Sequence, residues 1–202
     1  MKISTSYAHR NAEKLISDQV PLLLQEVKDL ITSVDASAAK TKLDIHHPGK
    51  MLYDRKKLGE AFDEEFLHLK WKSARCSYYV TLNQALLPKL VTLPAAQQKE
   101  LLARHGEKDP LYRFAESDYL KEKVTAEVQF GNHPRVITDL YMKHALFHSS
   151  GLCIAGIEIL PMREFQQEMS SSVTSYEAEV YLLMRSGKDS PGVPLLILGV
   201  GV

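Results

Sequence analysis

The chain has 202 residues, and its 25 basic and 25 acidic side chains balance to a formal net charge of zero. This length suits one compact domain with a sizeable core, so residues 1–202 are read as a single domain. The balance excludes nucleic-acid binding by overall charge alone, and two cysteines are too few for a disulfide scaffold.

Taken in chain order, the first strong pattern is helical. Ile16, Val20, Leu23 or Leu24, Val27, Leu30 or Ile31, and Val34 recur three and four apart. Pro21 interrupts the run and predicts a kink or a second helix opening there, because proline is tolerated only in a first turn. Residues 40–57 carry Lys40, Lys42, Lys50, Arg55, Lys56 and Lys57 against Asp44 and Asp54, which makes either a local basic arm or a solvated loop. A polar loop is expected near 46–50, a helix over 56–69, a strand over 78–82 and a polar helix over 94–104 that stops near Gly106.

From residue 124 the order becomes strand, helix, strand, helix, strand, over 125–130, 136–148, 154–160, 175–185 and 194–198. Continuous apolar strands such as 194–198 suit an α/β fold with a central mixed β-sheet flanked by helices. Thr174 and Glu177 have capping-box spacing, so a helix should open just after the serine cluster. No apolar h-region opens the sequence, and no apolar run reaches the roughly 18 residues of a membrane helix. A cytoplasmic protein with no membrane partner is expected.

The most informative chemistry lies between residues 118 and 129. Asp118 is followed nine residues later by Glu127-Val128-Gln129. On a strand Glu127 and Gln129 share one face while Val128 points to the other. Two acids and an amide offer hard oxygen ligands of the kind magnesium takes, usually with waters and phosphate completing the shell. The competing reading is a solvated hairpin, since acids at this spacing recur by chance in a chain that is 25% charged.

The run Ala126-Glu127-Val128-Gln129-Phe130-Gly131-Asn132-His133-Pro134, with Gly156-Ile157-Glu158-Ile159-Leu160-Pro161-Met162 after it, resembles the type II restriction endonucleases of the BglII and BstYI kind. These belong to the PD-(D/E)XK nuclease class. The likeness is strongest from Asp118 onward. It is carried above all by Gln129, which stands where the wider class has lysine. The resemblance implies a restriction-endonuclease-like core and a type II site-specific deoxyribonuclease. It implies Asp118, Glu127 and the Val128 carbonyl as ligands of Mg²⁺, Gln129 as the group that places the attacking water, and no organic cofactor. Glutamine cannot act as a base, so any such role is limited to hydrogen bonding. It further implies a homodimer on double-stranded DNA, cutting a palindrome with a GATC core (RGATCY, AGATCT or GGATCC) to leave 5′ overhangs. Asn132, Ser171 and Ser172 would contact bases, although serines before a helix are equally an ordinary cap. A structure-selective magnesium nuclease and a non-catalytic DNA-binding relative are the alternatives.

His144 and His148 have the spacing of a zinc pair, but Ala145 stands where HExxH needs Glu, so a structural role is expected. Glu158, inside an apolar strand, must be paired or belong to the site. Tyr78 and Tyr79 read as packing residues.

Overall fold

The computed structural model describes every residue except His46, Ser170 and Ser171. Strand β1 (Lys2–His9) leads into helices α1 (Ala12–Gln19) and α2 (Pro21–Ser33). Pro21 occupies the first turn of α2, so the helical pattern is two helices rather than one kinked helix. A small ribbon of β2 (Lys42–Leu43) and β3 (Met51–Leu52) precedes α3 (Arg55–His68) and β4 (Lys72–Val80). Asp54 caps α3 by accepting hydrogen bonds from the backbone of Lys56 and Lys57.

Helices α4 (Leu87–Leu90) and α5 (Ala95–Arg104) follow, then the hairpin of β5 (Leu111–Lys121) and β6 (Val124–Val128). Next come α6 (His133–Thr138), a π-helical turn at Asp139–Lys143, and α7 (His144–Ser149). The chain closes with β7 (Ala155–Pro161), α8 (Arg163–Gln166), α9 (Tyr176–Arg185) and β8 (Leu195–Gly201). Among the described residues no helix is long and apolar enough to cross a membrane.

Six strands form a mixed sheet in the order β1-β8-β7-β6-β5-β4. The central pairs β6–β7 and β7–β8 are parallel, and the outer pairs β1–β8, β5–β6 and β4–β5 are antiparallel. One face of the central strands presents Ala126, Ile157, Ile159, Leu196, Leu198 and Val200 to α1, α2 and α3. The opposite face presents Leu160, Leu195 and Ile197 to Val136, Leu140, Val180 and Leu183. This double burial explains why these strands read as continuous apolar runs. Cys76 and Cys153 are free thiols packed with Phe147.

Strands β1 and β5 are not foreshadowed by the sequence pattern. β1 forms a sheet edge and β5 is largely solvated along its first half, so neither carries a continuous apolar stripe. The helix expected over 136–148 is interrupted by the π turn. The expected capping box is also absent: Ser175 is the N-cap of α9, while Glu177 accepts the Arg163 backbone N–H and Thr174 donates to Glu179. Glu177 is drawn away because the first turn of α8 needs an acceptor that its own N-cap, Met162, does not supply.

Gly156 on β7 lets the His144 ring lie directly on the sheet. A Cβ at this position would fall 2.4 Å from Nδ1 and 2.7 Å from Cγ of that ring. The ring is pinned on both sides by hydrogen bonds and cannot retreat. Gly156→Ala should therefore destabilise the protein by roughly 3 kcal/mol, the upper range for overpacking, seen as a lower urea midpoint; an unchanged midpoint would contradict this packing.

Candidate active site

The register of the β5–β6 hairpin brings the sequence-predicted residues together. Tyr119 pairs with Ala126, so Asp118 lies across from Glu127 and on the same face. The Asp118 backbone N–H donates to Glu127 Oε1 at 3.2 Å. Gln129 shares that face two residues on, while Val128 packs against the helices on the other side. Tyr119 holds this end of β5 in place: its ring stacks on Phe66 of α3 and its hydroxyl donates to Asp63.

The two strands part just here. Their paired register stops at Tyr119–Ala126, while the Gln129 N–H continues on to Ile159 of β7. Backbone groups alternate sides along a strand, so the Val128 carbonyl faces the gap beside β5. A cleft of about 430 Å³ opens there, walled by Asp118, Tyr119, Val128, Gln129 and Asp63 and rimmed by Lys42, Arg55, Lys56 and Arg135. Part of the basic stretch over 40–57 is thus a rim of the cleft. Lys40 instead pairs with Glu168 at 2.5 Å.

Exposure differs sharply among the three polar groups. Asp118 is exposed, Gln129 is 2% exposed and Glu127 is completely buried. Burial pushes the Glu127 carboxyl up to about 8; the Lys143 ammonium opposes that rise, and the neighbouring Glu158 and Asp118 carboxyls add to it. Lys143 Nζ sits 2.9 Å from Glu127 Oε2 and 2.9 Å from Asp139 Oδ1. Gln129 Nε2 donates to Asp139 Oδ2 at 2.6 Å. Burial works against the Lys143 ammonium, but Glu127 and Asp139 together raise it above its ordinary value.

Next to this cluster lies a neutral pair. Burial lowers His144 to about 4 and raises Glu158 well above the carboxylate range. His144 Nε2 lies 2.9 Å from Glu158 Oε1, and its Nδ1 lies 2.8 Å from Thr125 Oγ1. One proton arrangement fits these three contacts: Glu158 donates to Nε2, Nδ1–H donates to Thr125, and the threonine hydroxyl donates to the Ala155 carbonyl, while Glu158 Oε2 has no aligned hydrogen bond. His144 is therefore a core residue, and its partner is Glu158 rather than His148. Glu158 is paired structurally, as its place in an apolar strand requires.

Among the described residues no three His, Cys, Asp or Glu side chains converge as a preformed metal cage. The nearest approach to one is Asp118, exposed at the cleft, with Glu127 buried across the hairpin from it, whose Oε2 has its ion pair but no aligned hydrogen bond. An open set of two carboxylates beside a carbonyl fits a hard divalent cation that keeps water and phosphate in its shell.

Asn132 is exposed and caps α6, its Oδ1 accepting from Arg135 N at 3.4 Å. Ser172 is exposed and accepts a hydrogen bond from Arg55 Nη1 at 3.2 Å. Ser171 lies outside the described residues. Both loops are tied to the end of β6: Thr174 N–H donates to the Gly131 carbonyl, and Glu179 joins His133 to Thr174. Sequence reasoning missed Asp139 and Lys143. Their i,i+4 spacing was the available signal, but such a pair ordinarily lies on a solvated helix face.

A mixed sheet flanked by helices, with its acids at the point where two strands part, has the fold of the restriction endonucleases. The solved structure of restriction endonuclease BglII complexed with a DNA 16-mer matches with a TM-score of 0.69 at 18% identity, over 100% of this chain and 79% of that one. Free BglII matches with a TM-score of 0.60 at 19% identity, over 100% and 80% of the two chains. A comparison with curated proteins gave no match. The family model for restriction endonuclease BglII/BglIII matches residues 4–200. The chain belongs to that family, whose members hydrolyse DNA phosphodiester bonds.

The buried histidine has a measurable signature. The unfolded chain binds this proton below about 6.5, whereas the folded protein resists it down to about 4, so His144 makes stability fall as pH drops through that window. His144→Gln, neutral throughout, should show a flatter dependence of unfolding free energy on pH between 6.5 and 4 than the wild type. Equal slopes in urea denaturation would contradict the neutral assignment.

Proposed function

We propose that this chain is a Mg²⁺-dependent type II restriction endonuclease of the PD-(D/E)XK class, close to the BglII and BstYI kind. It acts as a homodimer of one-domain subunits in the cytoplasm of a bacterial or archaeal cell. Its substrate is double-stranded DNA carrying a palindrome with a GATC core (RGATCY, AGATCT or GGATCC), cut to leave 5′ overhangs. One observation carries this reading: in a member of the BglII family, Asp118 opens onto a cleft rimmed by Lys42, Arg55, Lys56 and Arg135 where β5 and β6 part, with Glu127 buried across the hairpin from it.

Asp118, Glu127 and the Val128 carbonyl would hold the metal, which when bound supplies Lewis-acid polarisation of the phosphate and favours ionisation of water. The remaining work falls to the chain. Gln129 has its NH₂ group engaged by Asp139, which leaves its carbonyl oxygen to accept from a water and orient it toward phosphorus. It removes no proton, since an amide is not a base at neutral pH. Lys42, Arg55, Lys56 and Arg135 take the phosphate backbone, so binding weakens steeply with salt. Asn132 Oδ1 is occupied as a helix cap, so its NH₂ is the free end, suited to the acceptor edge of guanine. Ser172 contacts the duplex beside it, and Ser171 is assigned the same role. Because one site cuts one strand, a two-fold dimer matches a palindrome and cuts both.

Purified protein with Mg²⁺ should cut plasmid DNA into discrete fragments whose sequenced ends carry a four-base 5′ GATC extension. Chelation of the metal should stop cleavage. Asp118→Ala and Glu127→Ala should each slow it by on the order of a thousandfold while a gel-shift assay still registers duplex binding. Intact plasmid, or ends scattered over unrelated sequences, would overturn the reading.

A further inference from the structure

Hydrolysis of a phosphodiester builds negative charge on phosphate and on the leaving oxygen, and a site answers it with fixed positive groups. Strand β6 and the residue that follows it offer none: Glu127 is an acid and Gln129 is neutral, and Asp118 across the hairpin on β5 is a second acid. The nearest ammonium comes from another element. Lys143 lies on the π-helical turn, 13% exposed in its side chain, with its Nζ between Glu127 Oε2 and Asp139 Oδ1.

The π turn bears on this placement. Asp139 and His144, five residues apart, are both buried toward the sheet. In a regular α-helix that separation rotates two side chains by about 140°, so they could not share a face. One turn of π-helix, with its i→i+5 period, brings them into line. Lys143 is then carried in beside them, where its ammonium makes ion pairs with both Glu127 and Asp139.

Two ion pairs and one hydrogen bond form a single chain: Glu127 to Lys143, Lys143 to Asp139, Asp139 to Gln129. Glu127 and Gln129 project from one face of β6, and this chain of contacts fixes the position of one relative to the other. We infer that Lys143, with Asp139, is a positioning residue of the site. Its ammonium holds Glu127 and, through Asp139, Gln129, and it supplies from the helix the positive charge that the strand lacks. This inference rests on the nuclease reading above.

Lys143→Met and the double variant Gln129→Lys/Lys143→Met test it. The double variant moves the ammonium onto the strand, where it reaches the same Asp139 and keeps the number of buried cations constant. In steady-state cleavage of a GATC-bearing duplex, Lys143→Met should lose about a hundredfold in kcat with KM within threefold of wild type. The double variant should regain at least tenfold of that loss. Calorimetric titration with Mg²⁺ in the absence of DNA gives a second readout of opposite sign: Lys143→Met should bind Mg²⁺ about tenfold more tightly, because a competing cation has left Glu127. A purely structural lysine would not produce slower turnover together with tighter metal binding. Melting curves establish that each variant is folded. If the single variant fails to fold, a folded double variant with at least a tenth of wild-type kcat supports the inference, and a folded but inactive one overturns it. Lys143→Met turning over within threefold of a cleaving wild type overturns it and leaves the nuclease reading intact. Wild-type protein that cuts nothing overturns both.

Discussion

The rest of the site depends on one constraint: a carboxylate, Glu127, is completely buried on the inner face of a sheet covered by helices. Such a group is neutral, paired with a cation, or both in turn, because an isolated charge in that environment costs several kcal/mol. Lys143 supplies the pairing, and Asp139 balances Lys143 in turn. The π turn makes room for this arrangement, and Gly156 lets the adjoining His144 settle against the sheet. His144 and Glu158 then stay neutral, so they add no further charge to an already crowded cluster.

The constraint is met on one side only. On the other side β5 and β6 part after Tyr119–Ala126, and Asp118 and the Val128 carbonyl face a cleft with a cationic rim. Buried electrostatics and an open approach thus coexist within a few residues. Burial strengthens the local field, and the opening leaves Asp118 exposed at the cleft. The loops carrying Asn132 and Ser172 are anchored to the end of the same strand through Gly131, Thr174 and Glu179. Any group that reads bases from those loops is therefore referenced to the residues that would cut.

Much of the core was legible because its signals are local. The period of Ile16 to Val34, the stop at Pro21, the apolar run at 194–198 and the alternation at Glu127-Val128-Gln129 each depend on residues close in the chain. The edge strand β1 and the polar strand β5 were not legible, since each owes its conformation to hydrogen bonds from a neighbouring strand rather than to its own pattern. The capping box failed for a related reason: a distant helix end, α8, competed for Glu177.

What the amino-acid order alone determined is the set of chemical groups on β6 and the side of it on which each lies, because a period of two leaves no freedom in that assignment. Tertiary structure alone decided which cation meets Glu127, what fixes Gln129, and that two histidines with metal spacing stay apart in role. These outcomes depend on a π turn that leads into His144, whose ring lies on Gly156 thirteen residues from Lys143, and no local rule of charge or periodicity encodes a contact between separate elements.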